Sequence, residues 1–63
     1  MNLNLLRSEI VKNGMTQEQL AQAIGMSPST FYRKTKKGIF GTDEVEKIID
    51  TLKIKNPMDI FFN

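Results

Sequence analysis

Arg33, Lys34, Lys36 and Lys37 fall within five consecutive residues, interrupted only by Thr35. Ser29 and Tyr32 stand just before them. Side chains of these types bind anions and read hydrogen-bonding edges. Arginine can hold guanine O6 and N7 through two hydrogen bonds, serine can bond to several bases, and lysine neutralises phosphates. By charge alone such a cluster is commonly just a solvated face. Spacing carries more information, because each residue advances about 100° around an α-helix. With Phe31 turned to a core, Thr35 lies beside it and Lys34 lies on the flank. Ser29, Arg33 and Lys36 then point the opposite way, with Tyr32 and Lys37 at the edges of that arc. One helix face thus gathers hydroxyl donors and three cations, a chemistry that suits the DNA major groove.

Composition removes most other chemistries. The chain has no His and no Cys. It therefore lacks an imidazole base, a thiolate nucleophile and the usual zinc ligands. Its 7 carboxylates are not placed together in any evident pocket, and its 4 glycines are scattered rather than gathered in a phosphate-cradling loop. No enzyme activity, cofactor, metal or small-molecule ligand is expected. The net charge of +2 hides an asymmetry. Residues 1–41 carry Arg7, Lys12, Arg33, Lys34, Lys36 and Lys37 against Glu9 and Glu18. Residues 42–63 carry Lys47, Lys53 and Lys55 against Asp43, Glu44, Glu46, Asp50 and Asp59. The basic half points to an anionic partner.

The elements that must position these residues are short helices. Leu3, Leu6 and Ile10 keep a helical spacing, and Asn13-Gly14 provides residues that tolerate φ > 0 at its end. Thr16-Gln17-Glu18-Gln19 reads as a capping box opening a second helix over about 16–24, with Leu20, Ala21 and Ile24 on its apolar face. Gly25 stops it. Ser27-Pro28 opens a third helix over about 28–37, with Ser as cap and Pro where an N–H has no partner. Gly38 ends it, and Ile39 and Phe40 are expected to plug the gap to the next helix. Asp43-Glu44 starts a fourth helix whose core stripe is Val45, Ile48, Ile49 and Leu52. Asn56-Pro57 repeats the cap-plus-proline pattern before Met58, Ile60 and Phe61. The four methionines are expected to fill packing gaps. No stretch alternates like a strand, and no apolar run approaches the ~20 residues of a membrane span. Nor does the start of the chain read as a signal peptide. The expectation is all-α: one domain over residues 1–63, a compact bundle of five short helices. A domain of this size buries only ~60% of the surface its unfolded chain exposes, so helix packing, with or without self-association, must hold it together.

The link Gly25-Met26 is too short for the second and third helices to lie antiparallel. That is helix-turn-helix geometry, in which the second helix of the pair enters the major groove. The run Gln17-Glu18-Gln19-Leu20-Ala21-Gln22-Ala23-Ile24-Gly25-Met26-Ser27, with Ser29-Thr30-Phe31-Tyr32-Arg33, resembles the Cro/lambda-repressor-type helix-turn-helix, or XRE family. The likeness extends from the first helix through Leu52, and its most specific part is the Q-x-x-L-A-x-x-x-G core. Ala21 stands where the two helices touch, Gly25 stands in the turn, and Phe31 is the apolar residue of the third helix. The shortness of the chain and its Ile-Phe-Phe ending look most like small phage and prophage regulators.

The resemblance implies a lambda repressor-like domain that binds double-stranded DNA. Gln17 is expected to hold a phosphate. Ser27, Pro28 and Ser29 are expected near base edges, Tyr32 and Arg33 one turn further along the groove, and Lys36 and Lys37 at phosphates. For Tyr32, packing against the domain is an equal alternative. Lys34 departs from the family, which usually has an apolar residue there. Either its aliphatic stem lies along the core edge, or the helix rolls so that Thr35 faces inward, or the helix ends early. The expected function is a sequence-specific transcriptional regulator, Cro-like or a small repressor, bound as a homodimer to a palindromic operator in a bacterial cytoplasm. Of the C-terminal Ile60, Phe61 and Phe62, two are expected to be buried and one exposed, with Phe62 as the dimer contact. The competing reading is a protein-interaction module on the same fold, an antirepressor or antitoxin-like protein.

Overall fold

The computed structural model describes residues 1–62. They form α1 (Leu3–Lys12), α2 (Gln17–Ala23), α3 (Pro28–Lys37), α4 (Thr42–Leu52) and α5 (Pro57–Phe61), and there is no strand among the described residues. Local chemistry sets most of the boundaries. The Asn2 side chain accepts from the Leu5 N–H and caps α1. Thr16 and Gln19 close a reciprocal capping box on α2, with bonds of 3.1 and 2.9 Å. Ser27 caps α3, Pro28 occupies its first turn, and Gly38 ends it at φ 69°. At Gly25, φ is 77°, which lets the chain turn from α2 into α3 without the steric cost another residue would bear.

The core gathers one face from every helix: Leu6 and Ile10, Leu20, Ala21 and Ile24, Phe31, Ile48 and Leu52, Ile54 and Ile60. α2 and α3 make the most extensive helix–helix contact, and Ala21 is fully buried. A methyl side chain permits that close approach. Two long-range polar contacts brace this core. The Asn2 N–H donates to the Ile60 carbonyl at 2.6 Å. The Asn13 amide donates to the carbonyls of Glu9 and Leu52, bridging the ends of α1 and α4.

Several local expectations change. Asn13 keeps a negative φ of −88°, and Gly14 alone takes the left-handed conformation, at 66°. Asn13 instead serves through its side chain. Asn56 makes no side-chain cap to α5. Ile39 does not plug the gap between α3 and α4: it is 66% exposed, and Phe40 alone reaches the core there. Phe40 meets the Phe31 ring at 5.6 Å between centroids. Met58 is exposed rather than packed, whereas Met1, Met15 and Met26 do pack on the core. Val45 and Ile49 are only half-buried; Ile48 and Leu52 carry the α4 contact. Ile54, unremarked in the sequence pattern, is a core residue. At the C-terminal end Ile60 is buried and Phe62 exposed, as expected, but Phe61 is only half-buried.

Candidate nucleic-acid interface

The interface begins with the roll of α3 about its axis. Phe31 and Thr35, one turn apart, are its two buried residues. The Thr35 hydroxyl reaches the core edge without losing a partner, because it donates to the Tyr32 carbonyl of its own helix at 2.7 Å. With that pair turned inward, Ser29, Tyr32, Arg33, Lys36 and Lys37 are all exposed. Of the possibilities open at Lys34, two hold together: Thr35 turns inward and the partly buried Lys34 lies along the core edge, while the helix continues to Lys37 rather than ending early.

Lys34 itself is turned to the side. Its ammonium donates to Glu44 Oε2 at 2.6 Å, with the two side chains 34% and 24% exposed. The other carboxylate oxygen of Glu44 accepts from the Gly41 N–H at 2.8 Å, at the start of α4. These two bonds, the lysine's first, hold the Glu44 carboxyl below its ordinary acidity range despite some opposing desolvation. Sequence spacing within either helix gives no sign of this pair, which joins residues on opposite sides of the α3–α4 corner.

The remaining expected contacts fall around one cleft. Gln17, Pro28, Ser29 and Tyr32 line a shallow depression of about 370 Å³ between the starts of α2 and α3, together with Glu18 and Phe31. Gln17 is half-buried there, whereas Pro28 and Ser29 are exposed. Tyr32 is 51% exposed and presents its ring to the Lys36 ammonium, 5.0 Å from the ring centre. That contact restrains two long side chains on the same face. Ser27 is already engaged: its hydroxyl accepts from the Thr30 N–H and donates to the Thr30 hydroxyl at 2.9 Å. Its first task is the cap of α3.

Four basic residues end α3, three of them in its last turn, where the negative end of the helix dipole favours cations. Three of the four, Arg33, Lys36 and Lys37, have no carboxylate partner among the described ion pairs. The face is therefore electropositive, convex along one helix, and bordered by the cleft that holds Gln17. A helix of this kind, set across a short turn from its partner, is the geometry that inserts into a major groove.

A family model described as the antitoxin Xre-like helix-turn-helix domain matches residues 8–49, two thirds of the chain. The chain belongs to the antitoxin Xre-like helix-turn-helix family. The match runs from within α1 through most of α4 and so contains the whole α2–turn–α3 unit. It bears out the XRE-type resemblance read from the Q-x-x-L-A-x-x-x-G core, and membership suggests a DNA-binding regulator. No curated protein and no solved structure matches the chain. Among the described residues no three His, Cys, Asp or Glu side chains are gathered where they could hold a metal ion. No described helix is long and apolar enough to cross a membrane.

Proposed function

We propose that this Xre-like protein is a sequence-specific transcriptional regulator that lays α3 in the major groove of double-stranded DNA. The observation that carries the reading is the roll of α3. Burial of Phe31 and Thr35 leaves Ser29, Tyr32, Arg33, Lys36 and Lys37 free on one solvent-facing arc. Arg33 is the residue assigned to a guanine edge, with Ser29 and Pro28 beside it at the groove floor and Tyr32 at the edge. Lys36, Lys37 and Gln17 hold phosphates on either side. Ser27, exposed at the start of α3, fixes the first turn of the helix and stands beside the same base edges.

The protein binds its operator as a homodimer on two half-sites ~34 Å apart, one helical turn. Phe62 supports this assignment. It is 66% exposed and lines a shallow depression with Met1, Gly38, Ile39, Phe40, Val45 and Phe61, whose apolar side chains a second copy would cover. The role assigned is Cro-like or that of a small repressor, in which occupancy of the operator excludes other proteins.

Selection of duplexes from a random pool tests the reading. A symmetric enriched site is expected, and Arg33→Ala should relax preference at one base pair per half-site by ~1–3 kcal/mol. Absence of any salt-dependent preference over random DNA would sink it. Membership of an antitoxin Xre-like family favours a second reading, an interaction module whose partner is another protein. That reading predicts normal folding of Arg33→Ala, no selected duplex, and a binding partner that the substitution leaves unaffected.

A further inference from the structure

Three of the four cations at the end of α3 are free, and the fourth is not. Lys34 is held by the shortest side-chain contact in the described structure, 2.6 Å to Glu44. Glu44 is anchored in turn, because its second oxygen accepts from the Gly41 N–H. One carboxylate thus pins the start of α4 with one oxygen and the end of α3 with the other. On the α3 wheel Lys34 adjoins Lys37, about 60° away at 100° per residue, so a released Lys34 ammonium would reach the phosphates beside those of Lys37.

We infer that Glu44 is a specificity-determining residue that withholds Lys34 from the nucleic-acid backbone. This rests on the DNA-binding reading above. Phosphate contacts add affinity to every sequence alike, whereas base contacts discriminate. A helix end carrying four free cations would strengthen binding to any duplex. With Lys34 neutralised in place, the interface keeps its base-reading residues and its two flanking lysines, and nothing further is added to the non-specific background. The ion pair also explains how a lysine is accommodated beside the core: the stem lies along the α3–α4 corner while its charge meets a fixed partner.

The test is the salt dependence of binding to random-sequence duplex DNA, measured for full-length variants. Each phosphate neutralised contributes about 0.9 to the slope of log K against log salt. Glu44→Gln, which releases Lys34, should steepen the slope by about 0.9. Lys34→Met keeps the stem and removes the charge, and it should leave the slope unchanged. The double variant should return to the wild-type value. Lys36→Met serves as the positive control and should lower the slope by about 0.9. If Lys34→Met lowers the slope as Lys36→Met does, Lys34 already contacts phosphate and the inference is overturned. An unchanged slope in Glu44→Gln overturns it equally, provided that circular dichroism shows the variant folded. If Glu44→Gln does not fold, the comparison of Lys34→Met with Lys36→Met decides alone. Failure of the wild-type protein to bind any duplex would instead remove the DNA-binding reading, and this inference with it.

Discussion

Truncating Phe31 tests the premise on which the reading face depends. Its side chain is 1% exposed and forms the junction of α3 with the core, where it meets the Phe40 ring at a 50° tilt. Phe31→Ala removes the whole ring from a packed site. Phe-to-Ala changes in cores cost about 3–5 kcal/mol. Up to about 1.5 kcal/mol of that is the aromatic pair itself. A chain of 63 residues, at about 0.05–0.15 kcal/mol per residue, has a total stability of about 3–9 kcal/mol. One substitution should therefore remove a third of the stability at least and all of it at most. Urea unfolding followed by far-ultraviolet circular dichroism reads the loss as a lowered midpoint or as a missing folded baseline. Tyr32→Ala provides the contrast, one residue along the same helix. Tyr32 is half-exposed and contacts only the Lys36 ammonium in the described aromatic interactions, so about 0.5 kcal/mol is expected. If Phe31→Ala costs less than about 1 kcal/mol with an unchanged denaturant slope, Phe31 is not what seats α3. A larger loss for Tyr32→Ala than for Phe31→Ala would mean that the helix is rolled differently, and the assigned face would be wrong.

Three further outcomes follow from particular contacts. Asn13→Ala deprives the partly buried Leu52 carbonyl of its side-chain donor and should lower stability by about 1–2 kcal/mol in the same urea assay. Lys53→Gly should raise stability by about 0.5–1 kcal/mol, because Lys53 ends α4 with φ at 54°, a conformation that costs a residue bearing Cβ. The Glu44 carboxyl has a folded pKa below its ordinary 4.5, so its contribution to stability is complete above that pH and is lost as pH falls through the folded value. Thermal midpoints measured across acidic pH should fall less steeply in Glu44→Gln than in the parent; parallel curves would show that the ion pair adds nothing to folding.

The helix caps and turn glycines were legible in the sequence because they are local. Thr16 and Gln19 satisfy each other's backbone within one turn, Ser27 accepts from the Thr30 N–H at the start of α3 where Pro28 has no N–H to satisfy, and the positive φ at Gly25 and Gly38 needs no distant partner. Asn56 looked alike in sequence but makes no side-chain cap: its backbone, at ψ 68°, is outside the extended conformation that Asn2, Thr16 and Ser27 share. The angular order of Ser29, Tyr32, Arg33, Lys36 and Lys37 was equally legible, since helix geometry alone sets it. Phe31 also marked the side that faces the protein, but how Lys34 is placed beside it was not legible. An inward Thr35 rather than Lys34 was one of several possibilities until the helices were packed.

The sequence by itself thus determined the helices, their order and the chemistry carried on each face of α3, all products of backbone geometry over a few residues. Only the tertiary structure decided what those faces meet. It placed Gln17 of α2 on the same cleft as Ser29 and Tyr32 of α3, and it joined Asn13 to Leu52 across 39 residues. It left Ile39 in solvent while Phe40 took the core, and it set Lys34 against Glu44. Each of these depends on where a second helix lies. Periodicity within a single helix carries no information about that placement; the packing of five apolar faces around one core supplies it.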